Sequence, residues 1–289
     1  MNKELSIIIV TYNSEKLIFD CLNSIYKYND IGEKLEVIVV DNSSDNSAEM
    51  LSRIKLLYKD SVVLIKSSVN MGYGHGNNQG VKVAKSPRLI IMNPDVRIVN
   101  PIFSKILNKF NTDKNVGLMG VRFIDGSKSL MFKPEYRNLF RLVLGPLLLR
   151  TGMYKIEQVY FSGSFLIFDK SSFIKAGLFD ENIFMYYEEA DISNRILSIG
   201  KETVLAKDLY VLHLAHGRQV NHSLLKIGSE SRRYYFNKYK TDINKYHKNL
   251  LTIYKFKYLA ASVINNKLKK EEFKAWINLC KNNGDIQLH

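Results

Sequence analysis

Two periodicities alternate along the first hundred residues. "LSIIIVTYN" (5–13), "LEVIVVDNS" (35–43), "SVVLIKS" (61–67) and "RLIIMNPDV" (88–96) are apolar, β-branched runs, the pattern of strands covered on both faces. Behind Ser14, an N-cap residue, Leu17, Ile18, Cys21, Leu22 and Ile25 recur at helical spacing. Residues 47–59 read as a second helix, and a glycine- and asparagine-rich turn leads into a third at about 77–84. Strands alternating with helices of this length predict a wound α/β fold with a mainly parallel sheet.

Beyond residue 100 the pattern loosens. "VGLMGVRFI" (116–124) predicts a strand entering a hairpin at Asp125-Gly126, and residues 131–159 are mixed. "YFSGSFLIFDK" (160–170) returns to strand, and a short helix follows to Ala176. "YEEADISNRILSIG" (187–200) reads as a helix stopped by Gly200. "ETVLA" and "YVLHLAHG" predict two short late strands, and from Ser223 onward the chain is basic, aromatic and helical. The expected division is one α/β domain over 1–217 and a helical extension over 218–289.

Composition changes this picture in two places. Two cysteines in 289 residues, Cys21 and Cys280, are too few for a disulfide framework or a zinc site, which points to a reducing, cytoplasmic setting. The N-terminal run reads as a strand and not as a signal peptide. No window approaches the roughly 18 apolar residues of a membrane span; "LFRLVLGPLLLR" (139–150) is short and interrupted by Arg141 and Pro146. The net charge of +14 is uneven: residues 218–289 hold 15 Lys and Arg against 5 Asp and Glu. Interleaved with Tyr, Phe, Leu and Ile, these cations predict helices with a basic face. Contact with an anionic membrane surface, a dimer or partner helix, and a plain solvated face are the three readings of that tail.

In wound sheets ligands lie beyond the carboxyl ends of the strands. Thr11, Tyr12 and Asn13 follow the first strand, Asp41 and Asn42 the second, residues 70–80 the third, and Asn93, Pro94 and Asp95 the fourth. Four polar endings in a row predict a binding edge. A dinucleotide fingerprint would need its glycines after the first strand, where "TYNSEK" stands instead. The same stretch argues against the Gly-rich loop of a nucleotidyltransferase. A nucleic-acid-binding protein would suit the basic tail but leaves the polar strand ends unexplained.

"SIIIVTYNS", "VIVVDNSSDNS", "NMGYGHGNNQG" and "MNPDV", in this order, resemble the nucleotide-sugar half (1–98) of a family 2 glycosyltransferase with the GT-A fold. "FSGSFLIFDKSSFIKAGLFDENIFMYYEEADISNRI" and "VLHLAHG" resemble its acceptor half (99–217). The "NPD" and "FMYYEEAD" forms are most similar to the branch that contains bacterial rhamnosyltransferases. The resemblance implies an inverting transferase, using dTDP-rhamnose or another nucleoside-diphosphate sugar to extend a surface polysaccharide or lipid-linked oligosaccharide. With the cysteine count and the basic tail, the expectation is a cytoplasmic enzyme, peripheral on the inner face of a bacterial membrane.

Residue by residue, the resemblance implies that Asp41 accepts the N3–H of a pyrimidine framed by Thr11 and Tyr12, with Asn13 counted among the nucleotide-binding residues. Asn70, Gly72 and Asn78 line the donor, in a turn whose glycines let backbone approach a ligand, and His75 is a surface residue. Asp95, held by Pro94, is a ligand to Mg²⁺ or Mn²⁺. Asn93 replaces the first acid of the family's Asp-x-Asp and is counted with the donor-binding residues. His213 supplies a further metal ligand, with His216 as the alternative. Glu189 matches the position of the catalytic base, usually an Asp; Asp191 is the runner-up, and Glu188 orients the acceptor. Plainer alternatives stand beside each: Asp41 and Asp45 as caps, Asp95 as a turn residue, His213 as packing, and the acidic trio as compensation of a helix dipole. The departures at Asn93 and Glu189 also keep open a catalytically weak nucleotide-sugar-binding protein.

Overall fold

The computed structural model describes residues 2–43, 47–126, 128–214 and 222–281. The alternating pattern becomes β1 (Leu5–Thr11), α1 (Glu15–Lys27), β2 (Leu35–Asp41), α2 (Ser47–Tyr58), β3 (Val62–Lys66), α3 (Tyr73–Val83) and β4 (Arg88–Met92). There follow β5 (Val96–Arg97), α4 (Phe103–Thr112), β6 (Val116–Phe123), β7 (Leu130–Phe132), α5 (Leu139–Thr151), β8 (Val159–Phe161), β9 (Phe165–Asp169) and α6 (Lys170–Lys175). The chain continues as α7 (Glu188–Ser198), β10 (Glu202–His213), α8 (His222–Lys238), α9 (Ile243–Val263) and α10 (Lys267–Lys281).

Eight strands form one sheet in the order β3-β2-β1-β4-β9-β6-β10-β5. The pairs β2–β3, β1–β2, β1–β4 and β6–β10 are parallel, whereas β9 runs against both β4 and β6 and β5 runs against β10. Every residue of β2 and all but one of β1 are buried, as unbroken apolar runs require. Helix α1 covers them with Ile18, Cys21, Leu22 and Ile25, the positions its spacing singles out.

Three expectations are corrected. The turn at Asp125-Gly126 does not make a hairpin: β6 already has β9 and β10 on its two edges, and β7 pairs with β8 in a separate two-stranded sheet. The two late strands are one, β10, with an irregularity between Ala206 and Tyr210. Helix α3 starts at Tyr73 rather than Asn77, because its glycines lie inside the helix where they pack against protein.

The chain divides into two compact units, interleaved along the sequence rather than cut once after residue 217. The first comprises Met1–Met131, Tyr160–Phe184 and Glu188–His216, and holds the large sheet and its core. The second comprises Phe132–Val159, Met185–Tyr187 and Gly217–His289. Its centre is aromatic: Tyr235 and Phe236 are buried among Tyr187, Tyr239 and Tyr246. The buried Arg232 donates to the Tyr187 hydroxyl (3.0 Å) and meets His247 Nε2 at 3.1 Å. Burial and the neighbouring Arg232 and Arg233 charges push the His247 imidazole down to about 4, so it is neutral at physiological pH.

Candidate functional site

The parallel register brings Thr11, Asp41 and Lys66 side by side at the ends of β1, β2 and β3. The buried Asp41 carboxylate is heavily committed. Its Oδ1 accepts from Thr11 Oγ1 (3.0 Å), Ser43 Oγ (2.7 Å) and the Ser43 N–H (3.3 Å). Its Oδ2 accepts from Lys66 Nζ at 2.8 Å. Burial alone would raise the Asp41 pKa, but Lys66 and the hydroxyls of Ser47, Ser43 and Thr11 outweigh it and hold the group below the ordinary carboxylate range. Lys66 is the charged partner: its side chain is 45% exposed, and it also donates to Ser43 O and Ser47 Oγ, each at 2.5 Å. Residue type alone does not single out this lysine; its signal in the sequence is its position as the last residue of β3. Tyr12 stands exposed beside the group, and Asn13 adopts a left-handed φ of +50° with its N–H on Ser43 Oγ. Asp45 lies outside the described residues.

The glycine-rich turn departs from the expected role. Gly72, at φ +96°, sits so close to the Phe184 carbonyl that any Cβ would overlap it. A Cβ at Gly74 would lie 2.9 Å from Phe179 Cβ, and one at Gly76 2.8 Å from Asn42 Nδ2. These glycines bring backbone into close contact with protein. Asn70 Oδ1 accepts from the Gly72 N–H, and Asn42 Nδ2 donates to the Gly72 carbonyl. Asn78, expected to line the donor, is instead a buried staple. Its Nδ2 donates to Phe179 O and Glu181 Oε1 (both 2.9 Å), and its Oδ1 accepts from the Phe179 N–H at 3.1 Å. His75 bridges Glu181 (2.7 Å) and Gln79 (2.8 Å) rather than standing alone. Asn78→Ala is therefore expected to cost about 1–3 kcal/mol of stability, through buried groups left unpaired. Thermal unfolding would register the loss, and nucleotide affinity measured well below the transition would stay unchanged.

At the end of β4, the Asn93 N–H donates to Ser164 O (2.9 Å), and the Asn93 carbonyl accepts from the Val96 N–H. This turn, stiffened by Pro94, projects Asp95 toward the end of β10, where the Leu214 N–H binds the Asp95 carbonyl at 2.8 Å. His213 Nε2 lies 3.5 Å from Asp95 Oδ2 and 3.2 Å from Ser164 Oγ. Asp95 Oδ1 is buried and has no hydrogen-bond partner among the described residues. Among those residues no set of three His, Cys, Asp or Glu gathers as a metal site. A carboxylate oxygen without a donor beside an imidazole nevertheless fits a divalent cation that takes its remaining ligands from phosphate and water. His216 lies outside the described residues.

Glu188, Glu189 and Asp191 occupy the first turn of α7. Asp191 is fully buried and its Oδ2 receives Arg195 Nε (2.9 Å) and Nη2 (2.6 Å). That ion pair occupies Oδ2 of the residue named as the alternative base and ties it to its own helix. Glu189 is half-buried and its Oε1 accepts from the Gly163 N–H at 3.0 Å. Burial raises its pKa, against the pull of its own and the Gly163 N–H groups. Glu188 is raised much further by burial and by the neighbouring Glu189 and Asp191, and its buried Oε2 has no partner among the described residues. The chain enters α7 through Tyr186 and Tyr187 at φ +72° and +75°, a conformation costly for bulky residues.

One loop joins these parts. Between β8 and β9, Ser164 holds Asn93 through its carbonyl and His213 through its hydroxyl. Gly163 holds Glu189 through its N–H and receives the half-buried Tyr73 hydroxyl on its carbonyl at 2.7 Å. A side chain at Gly163 would collide with the Glu189 carboxylate. The sequence reading treated "FSGSF" as strand and missed this junction; its signal was three small residues breaking an aromatic, apolar run.

The family profile described as glycosyl transferase family 2 matches residues 6–177. That span contains Asp41, Asp95 and the Ser162–Gly163–Ser164 loop and ends before Glu189 and His213. A low-salt glycan biosynthesis hexosyltransferase of Haloferax volcanii is 30% identical over 203 residues, 68% of this chain and 62% of that protein. An N-acetylglucosaminyl-diphospho-decaprenol L-rhamnosyltransferase of Mycobacterium tuberculosis is 27% identical over 206 residues, 62% of this chain. A poly(ribitol-phosphate) beta-glucosyltransferase of Bacillus spizizenii is 34% identical over 93 residues, 32% of this chain. The matched regions span 66% and 15% of those two relatives' lengths, respectively. Among solved structures, a mannosyltransferase from Pyrobaculum calidifontis in complex with GDP-Man and Mn²⁺ superposes with a TM-score of 0.65 at 16% identity, covering 98% of this chain and 87% of that one. The Staphylococcus aureus TarS fragment in complex with UDP superposes at 0.56 and 13% identity, covering 98% and 93%. These likenesses give the α/β architecture its name, the GT-A fold. Because the profile runs through more than half of the 289 residues, from the first strand to past β9, the chain belongs to glycosyl transferase family 2.

Proposed function

We propose that this protein transfers a sugar, with inversion, from a nucleoside-diphosphate donor to a hydroxyl of a glycan or lipid-linked glycan. The observation that carries this is the Ser162–Gly163–Ser164 loop. It ties a carboxylate with a raised pKa, Glu189, to the Asp95–His213 pair through hydrogen bonds no longer than 3.2 Å. A base and a group suited to a departing diphosphate are thus fixed to one three-residue segment.

The acceptor hydroxyl gives its proton to Glu189 as its oxygen bonds to the anomeric carbon. The bond from that carbon to the diphosphate oxygen breaks, and the diphosphate leaves with the electron pair. Asp95 and His213 would hold a divalent cation, Mg²⁺ or Mn²⁺, which when bound offsets the charge of the leaving group. The base-binding edge is Thr11, Tyr12 and Asp41, with Lys66 turning from Asp41 Oδ2 to admit the N3–H of uracil or thymine. The exposed lysine then faces a polyanionic ligand, which suits its charge. For the sugar we propose L-rhamnose from dTDP-rhamnose, in line with the mycobacterial relative's name and the "NPD" form of the β4 turn.

A screen for slow donor hydrolysis with Mn²⁺ or Mg²⁺ needs no acceptor and tests base and sugar together. Release of free sugar from dTDP-rhamnose, in excess over UDP- and GDP-sugars, is expected. Turnover of a different donor would overturn the rhamnose assignment alone. Neither hydrolysis nor calorimetric binding with UDP, dTDP or GDP would sink the transferase reading.

A further inference from the structure

Helix α5 in the second unit is apolar on both sides: Leu142, Leu148 and Leu149 are half-buried, and a second apolar set is exposed. An ordinary surface helix turns its apolar stripe inward and its polar residues to water. In α5 Pro146, Arg150 and Thr151 are exposed, and so are five large apolar residues, Leu139 (45%), Phe140 (58%), Val143 (61%), Leu144 (38%) and Leu147 (57%). At about 100° per residue these five fill an arc of roughly 140°, one continuous outward face. The one fully buried position is Gly145, where an added Cβ would lie 3.5 Å from the Phe132 ring. The exposed Met153 extends the stripe beyond the helix end.

Helix α9 packs beside α5 and repeats the feature. Its Phe256, Leu259 and Val263, spaced i, i+3, i+7, are all more than half exposed. Together α5 and α9 carry six Lys and Arg and no Asp or Glu. That charge decides between occupants. Five of the six, all but the half-buried Arg141, are exposed, so a second copy would set like charges against one another, whereas an anionic bilayer complements them while its acyl boundary takes the apolar stripe. Long basic side chains also keep their heads in the headgroup layer while their stems lie on the apolar surface. Crossing is excluded for α5, whose 13 residues span about 20 Å against the roughly 30 Å of a bilayer core. Among the described residues no helix is long and apolar enough to cross.

We propose that the α5–α9 face is a docking surface for an anionic lipid bilayer, lying in its interface. This inference stands apart from the transferase reading, since it uses none of that site's residues. Its test is co-sedimentation of the full chain with vesicles of phosphatidylcholine alone or mixed with phosphatidylglycerol. Binding to the mixed vesicles, weakened by salt, is expected, and the triple change Phe140→Ser, Val143→Ser, Leu147→Ser should weaken it by about tenfold or more. The three residues are exposed, so the variant is expected to fold; circular dichroism and retained nucleotide binding check this independently. No sedimentation of the wild-type chain with anionic vesicles would overturn the proposal. So would a folded triple variant that binds as well as wild type. A dimer in analytical ultracentrifugation that the same triple change dissociates would give the face to a second copy instead.

Discussion

Glu189→Gln is expected to lower kcat for sugar transfer by about 10²–10⁴-fold, the usual weight of a general base, with little change in nucleotide affinity. The substitution is close to isosteric, and a carboxamide oxygen can still accept the Gly163 N–H that holds Oε1 at 3.0 Å. What it removes is the ability to take a proton from the acceptor. The pH dependence gives a second readout. Burial raises the Glu189 pKa in the folded protein, and the base works only when deprotonated. The rate should therefore fall as the pH drops through a value above the ordinary glutamate range, and this acid limb should vanish from the residual activity of the variant. Steady-state release of the nucleoside diphosphate measures kcat, and calorimetry measures affinity. An unchanged kcat, or a kcat lost in proportion to nucleotide binding, would remove Glu189 from the role of base.

Much of the first hundred residues was legible because its strands are buried on both faces. Continuous apolar runs leave little doubt where β1, β2 and β4 lie, and each ends within a residue or two of the polar group that follows it. The position of Asp95 came from the same logic. Side-chain commitments were not legible. Asn78 and Asp191 belong to residue types that serve equally as ligands or as staples. Only the three-dimensional neighbours, the Phe179 backbone for one and Arg195 for the other, decide which. The glycines of α3 misled for a related reason. A glycine marks close approach without saying to what, and here the neighbours are Phe184, Phe179 and Asn42. At the Ser162–Gly163–Ser164 junction the small residues are visible in the sequence, but their partners Asn93, Glu189 and His213 lie far along the chain and follow only from the fold. Lys66 was overlooked because pairing with Asp41 depends on strand register, which composition does not encode.

Removing the charge at position 95 should have a comparable effect by a different route. Asp95→Asn is expected to reduce kcat/KM by about 10²-fold or more and to abolish the Mn²⁺ dependence of nucleoside-diphosphate binding. The estimate follows from the several kcal/mol a divalent cation contributes to charge stabilisation, at about 1.4 kcal/mol per tenfold. The substitution is a clean one for stability. Asp95 Oδ1 has no donor among the described residues, and His213 Nε2 stands 3.5 Å from Oδ2, beyond a normal hydrogen bond. The tie between the Asp95 carbonyl and the Leu214 N–H belongs to the backbone and survives the change. Stability should thus stay the same or rise slightly, since a buried carboxylate oxygen without a donor is costly. Calorimetric titration with the diphosphate and with the parent nucleoside, each with Mn²⁺ and with chelator, separates the contributions. The diphosphate should lose its metal-dependent gain, whereas the nucleoside, held at the Asp41 edge, should bind as before. If the variant keeps a metal-dependent gain for the diphosphate, the cation is held elsewhere, and the β4 turn presents Asp95 for packing alone.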